Sequence, residues 1–235
     1  MAMTNIPDSL VSIDEGLWCV ESHFTALGCK GSLRMTIIAA GEGLSLYSPV
    51  HLEAEDLAAI RRLGDVGTII APNLYHHMFL REAVGHFPQA RVLIPKGLEA
   101  KIGRIGRSQI VTPQALPDLG GDIESFSFSG HGLRETLLFH KPTGTLITAD
   151  MLYNYREEHY LAEKTFFRLI GCYGKPGLAF YHRFAIQDKG NVRELIRWVT
   201  ARGVRRIVMS HGRIFEHADA GQIFAGIWEK HAPGS

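Results

Sequence analysis

The strongest constraint on this chain is an order of elements that occurs twice. Short β-rich runs joined by tight turns lead into an alternation of strand and helix, and then the chain starts again with strands. "LWCVES" (17–22), "RMTIIAA" (34–40) and "LSLYSPV" (44–50) are separated by glycines, and "GEG" at 41–43 reads as a hairpin turn. "LEAEDLAAIRRLG" (52–64) has Leu52, Leu57, Ile60 and Leu63 at near-helical spacing. Its acids come early, its arginines late, and Gly64 follows as a stop, which predicts a helix. In "VGTIIAPN" (66–73) the apolar residues are continuous, the pattern of a strand buried on both faces. "HHMFLREAVGHFP" then reads as a helix ended by Pro88, "RVLIP" (91–95) as another buried strand, and 96–121 as a short helix plus loop.

The second half repeats the order. "IESFSFSG" (123–130) alternates, "ETLLFH" (135–140) follows, "KPTG" is a turn and "TLITAD" (145–150) is a buried strand. Residues 151–190 predict helical pieces, 191–203 a helix with a glycine stop, "VRRIVMSHG" (204–212) a strand and loop, and "ADAGQIFAGIWEKH" a closing helix. No linker or low-complexity stretch divides the halves. The order predicts an α/β fold with the sheets inside and the helices outside, a four-layer αββα sandwich forming one domain over residues 1–235.

Composition excludes several classes. The formal net charge of +1 gives no field for nucleic acid or an anionic membrane. The N-terminal stretch lacks a basic and then apolar signal, and the apolar runs fall short of the ~18 residues of a membrane span. Cys19, Cys29 and Cys172 show no C-x-x-C spacing, so reduced thiols and a cytoplasmic location are expected. There is no G-x-S-x-G elbow, Walker A run or G-x-G-x-x-G after a strand. The aromatic stretch 166–184 is a candidate core segment, dimer surface or wall of a small-molecule pocket, so a homodimer stays open.

What remains is a series of polar strand ends. His76 and His77 follow "TIIAPN", His131 follows "SFSFSG", Asp150 ends "TLITAD" and His211 follows "RIVMS". Each alone is an ordinary cap or turn residue. Together, imidazoles and a carboxylate at loops that converge at one sheet edge suit Zn, Fe or Mn.

The placement of these groups resembles the metallo-β-lactamase superfamily, with its H-x-H-x-D-H motif at a strand-to-helix junction followed by a His, a bridging Asp and a last His. Here the junction is "APNLYHHM", and the later elements are "SGHG", "LITAD" and "MSHGR". More narrowly, "APNLYHHMFL", "HKPTGTLITAD" and "SHGRIF" resemble the branch known as DUF4336. With His77 on the motif's last His, His76 stands where the family has Asp, and Pro72 and Leu74 replace its first two histidines; a shift of one residue puts Asn73 and Tyr75 there instead. "YSPV" replaces a hairpin end that often carries Asp. One of the family's two metal positions is thus dismantled.

The resemblance implies a divergent hydrolase with one divalent metal, zinc ahead of iron or manganese, held by His76, His77, Asp150 and His211. Asp150 and His131 are the catalytic candidates, with His131 as a proton carrier beside a metal-activated water acting on a small-molecule substrate. The alternative is a metal-free, inactive protein of the same fold that binds a small molecule or a protein partner.

Overall fold

The computed structural model describes residues 10–26, 29–41, 43–105, 107–156 and 161–232, with the backbone alone described at 23–26, 29–31 and 161–163. The first sheet runs in chain order through β1 (Leu10–Asp14), β2 (Leu17–Ala26), β3 (Cys29–Ala40), β4 (Gly43–Tyr47), β5 (Val66–Ile70), β6 (Arg91–Pro95) and β7 (Arg107–Val111). Its first four strands are antiparallel and its last three join β4 in parallel, because helices α1 (Ala54–Leu63), α2 (Leu80–His86) and α3 (Leu98–Ile102) make the crossovers. The second sheet contains β8 (Ile123–Phe128), β9 (Glu135–His140), β10 (Thr145–Thr148), β11 (Arg206–Met209) and β12 (Phe215–Glu216), in the order β12-β11-β10-β9-β8. α4 (Leu161–Leu169), a 3-10 helix (Phe180–Phe184) and α5 (Lys189–Thr200) lie between β10 and β11, and α6 (Ala220–His231) follows β12.

Adjacent apolar residues feed different layers, which is why the central strands read as continuous runs. Ile38, Tyr47 and Ile70 meet Leu138, Ile147 and Val208 between the two sheets. Their neighbours Ile37, Leu46 and Ile69 turn outward against Ile60 of α1 and Leu80 of α2. On the far side Leu137, Leu146 and Ile207 pack against Val192 and Leu195 of α5 and Phe224 and Trp228 of α6. Three stacked cores between four layers are the αββα sandwich expected from the order of elements.

The differences are local. The hairpin between β3 and β4 forms, with Ala40 paired to Gly43, while Glu42 of the expected turn lies outside the described residues. So do residues 1–9 of the N-terminal stretch and 157–160 of the segment expected as helical pieces. β1, β7 and β12 were not expected. β7 is a mostly polar strand and β12 has two residues, so neither carries an apolar signature. The strand expected to reach residue 73 ends at Ile70, and the helix expected from His76 begins at Leu80. Both histidines of the pair therefore lie in a turn. None of the described helices is long and apolar enough to cross a membrane.

Candidate metal centre

Three of the polar strand ends converge. His76 follows β5, Asp150 follows β10 and His211 follows β11, and the ligand atoms of all three lie within 4.8 Å of one another. His76 Nε2 is 3.3 Å from Asp150 Oδ2, His211 Nε2 is 3.3 Å from Asp150 Oδ1, and the two Nε2 atoms are 3.2 Å apart. Three donors bound tetrahedrally to one ion at about 2.0–2.1 Å would be about 3.3 Å from each other. The two Nε2 atoms have that separation, each faces a different oxygen of the one carboxylate, and one ligand atom from each residue falls within 4.8 Å of the others, a spacing compatible with a single first-row metal.

Each donor is oriented by a partner behind it. His211 Nδ1 lies 2.8 Å from the Ser32 carbonyl oxygen, which can only accept, so this nitrogen carries a proton and Nε2 is the atom turned to the cluster. His76 Nδ1 lies 2.7 Å from Ser48 Oγ. Ser48, at the end of β4, is fully buried at φ 60°, a backbone conformation uncommon for a residue other than glycine. Gly212 sits beside His211 at φ +80°, where a Cβ would come within 2.5 Å of the Asn154 carbonyl oxygen. Only glycine lets that loop pass so close, and the Gly212 N–H then donates to Ser32 Oγ at 2.8 Å.

The carboxylate is held more firmly still. Asn73 Nδ2 donates to Asp150 Oδ2 and to Glu135 Oε2, both at 2.8 Å, while its Oδ1 accepts from the Tyr75 and His76 N–H groups. This double use of one amide builds the turn that presents His76 and delays the helix to Leu80. Glu135, with no exposed surface, also accepts from Thr148 Oγ1 and from the N–H groups of Ala149 and Asp150. Tyr153 donates its hydroxyl to Asp150 Oδ1 at 3.1 Å.

The electrostatics fit a cation. Burial would raise the Asp150 carboxyl, but His76 and His211 hold it well below the usual carboxylate range. Burial would lower His76, yet Asp150 outweighs it and raises the imidazole above its ordinary value. Glu135 is raised by burial and by the neighbouring Asp150 charge. Among the described residues the ion-pair partners of Asp150 are these two histidines. One buried carboxylate between two imidazoles supplies the donor types that suit a divalent ion.

His77, expected as a ligand, and His131, expected as a proton carrier, stand outside the cluster. The half-buried His77 is absent from the donor cluster. Successive residues in a turn project in different directions, and burial followed by the charge of Lys101 lowers its imidazole. The buried His131 ring stacks between Phe128 and His182, with Trp228 at its edge. Its Nδ1 accepts from the Leu133 N–H and its Nε2 lies 3.1 Å from the His182 carbonyl oxygen, so the backbone occupies both nitrogens. Pro72 and Leu74, set against the family's first two histidines, tie the turn to the second sheet: the Pro72 carbonyl accepts from Thr136 and the Leu74 N–H donates to Leu133.

Sequence reasoning missed Glu135, Asn73, Tyr153 and the orienting roles of Ser48 and Ser32. Glu135 left a signal, a carboxylate heading the otherwise apolar "ETLLFH", where a buried charge demands partners. A cleft of about 330 Å³ opens over the triad.

No protein-family model matches the chain, and no curated protein sequence does. Solved structures do. A metallo-β-lactamase from Pontibacter korlensis superposes with a TM-score of 0.63 at 14% identity, over 94% of this chain and 98% of that one. A metallo-β-lactamase from Hirschia baltica gives 0.60 at 10%, over 93% and 96%. Rubredoxin oxygen:oxidoreductase from Desulfovibrio gigas gives 0.67 at 14%, over 95% of this chain and 61% of that longer protein. At these identities the likeness is one of architecture, and it agrees with the layers and strand order found here: the chain has the metallo-β-lactamase fold.

Proposed function

We propose that the protein is a metal-dependent hydrolase that holds one divalent ion through His76, Asp150 and His211. The observation that carries this reading is the donor cluster, with two Nε2 atoms 3.2 Å apart, each 3.3 Å from an oxygen of Asp150, and each imidazole fixed through its second nitrogen. Zinc in such a site supplies Lewis acidity that brings the ionisation of water toward neutral pH. The chain's own residues do the rest. Asn73 and Glu135 keep Asp150 in place, and the Tyr153 hydroxyl, donated to Asp150 Oδ1, holds the carboxylate's other oxygen. Apolar and aromatic side chains form most of the cleft wall around the triad. The narrower DUF4336 likeness rests on the motif echoes and belongs to this proposal.

The test is to strip the protein with chelator, reload it with Zn²⁺ and follow hydrolysis of simple esters and thioesters. Turnover that returns with zinc and vanishes in Asp150→Asn supports the reading. A fully zinc-loaded protein with no turnover sinks it. Two imidazoles and one carboxylate are also the donors of oxygen-activating Fe(II) sites. Purified protein that carries iron and consumes O₂ would therefore replace hydrolysis with redox chemistry.

A further inference from the structure

The cleft over the triad has an unusual lining. A series of near-parallel rings leads outward from the metal ligands. His211 and Tyr153 stack at 5.7 Å and 23°, Tyr153 and Tyr155 at 6.3 Å and 15°, and Tyr155 and Phe167 at 3.8 Å and 19°. All of these rings line the cleft, and aromatic rings attract one another in offset-stacked or edge-to-face arrangements. Across the opening, Tyr75 and Met78 are exposed, as are Phe166 and Tyr181. Such an uncovered apolar rim beside a polar centre marks a binding site.

Charge narrows the ligand further. Among the described residues lining the cleft, the ionisable groups other than tyrosines are His76, Asp150 and His211 themselves, and no Lys or Arg is present. The nearby cations are engaged. Lys101 Nζ sits 4.5 Å from the Tyr75 ring centroid and donates to the Leu74 carbonyl, and Arg34 is taken by Glu21 and the Met209 carbonyl. Away from the triad, an anionic group placed among these rings would lose hydration without gaining a cationic partner.

We propose that this cleft selects an uncharged, flat aromatic substrate and places its carboxylic ester or thioester group at the triad. The inference rests on the hydrolase reading above. In the step implied, the acyl carbon–oxygen (or carbon–sulfur) bond breaks, the oxygen of water bonds to the acyl carbon, and the leaving alcohol or thiol takes a proton. At about 330 Å³ the cleft is at the small end of ligand sites, enough for one or two fused rings.

Two measurements separate the inference from the reading beneath it. In the first, 2-naphthol and 6-hydroxynaphthalene-2-sulfonate are titrated into chelator-treated protein, where no metal takes part. The neutral probe is expected to bind at least about tenfold more tightly. Phe166→Lys, at an exposed position on the rim, is expected to narrow or reverse that ratio. Equal or tighter binding of the sulfonate by the unaltered protein, or a ratio that Phe166→Lys does not move, overturns the proposal. In the second, zinc-loaded protein is given ethyl 2-naphthylacetate and ethyl acetate, esters of matched intrinsic reactivity. A kcat/KM at least about tenfold higher for the aromatic ester is expected, and equal values overturn the proposal. Selective naphthol binding with no turnover of either ester upholds the aromatic slot and removes the hydrolase reading.

Discussion

Two histidine pairs in this protein meet face to edge or face to face at nearly the same separation, and only one resembles a metal site. His76 and His211 have ring centroids 5.1 Å apart, and His131 and His182 have theirs 5.2 Å apart. In the first pair each Nδ1 is taken by an oxygen behind it, and both Nε2 atoms converge on Asp150. In the second, His131 spends both nitrogens on backbone groups, while His182 Nε2 meets the Tyr153 hydroxyl and its Nδ1 is buried without a partner. The difference teaches that a histidine becomes a ligand through what holds its other nitrogen. Residue type and proximity are shared by both pairs and decide nothing.

The comparison breaks most visibly behind the triad. Glu135→Ala would strand the buried N–H groups of Ala149 and Asp150 and the Asn73 amide at once. A loss of about 3–5 kcal/mol is expected in urea denaturation, the range for breaking a buried charged network. A loss below about 1 kcal/mol would mean that the network is not formed in solution.

The second pair is sharpened by pH. Burial, then the neighbouring His131, pushes His182 down to about 4 from an ordinary 6.5. The unfolded chain thus takes up this proton first as pH falls. The stability linked to His182 is complete above about pH 6.5 and is lost between about 6.5 and 4, by about 3 kcal/mol. His182→Phe should remove that part of the pH dependence of unfolding. An unchanged slope would show that His182 takes up its proton alike in the folded and unfolded chain.

Smaller effects belong to the orienting partners and the bystander. Ser48→Ala frees His76 Nδ1 and is expected to weaken metal binding by about 10–100-fold without unfolding the chain, read by competition with a chromophoric chelator. His77→Ala is expected to change stability by no more than about 0.5 kcal/mol and to leave metal affinity alone. A loss of metal in that variant would return His77 to the ligand set.

Much of this was legible in the sequence, for definite reasons. Runs such as "TIIA", "TLIT" and "RIVM" are apolar at every position because both faces of the central strands are covered, so the layers could be inferred from pattern alone. The polar residue after each run marked Asp150, His211 and the adjacent histidines as candidates, and the fold brings Asp150, His211 and His76 together. Which histidine could not be read, because the choice is made by Asn73, whose amide caps the turn and aims His76 rather than His77. His131 misled because a histidine between two glycines looks free, whereas its ring is packed among Phe128, His182 and Trp228. Ser48 and Ser32 carry no motif, and their roles exist only once β3 and β4 are folded against the triad.

The central claim is that His76, Asp150 and His211 hold one metal ion. Its most direct test is elemental analysis by inductively coupled plasma mass spectrometry on untagged protein reloaded with Zn²⁺ or Fe²⁺, alongside His76→Ala and His211→Ala variants shown to be folded by circular dichroism. One equivalent in the unaltered protein and no stoichiometric metal in either variant is the predicted result. Metal retained in both folded variants, or none bound by the unaltered protein after loading with either ion, would contradict it.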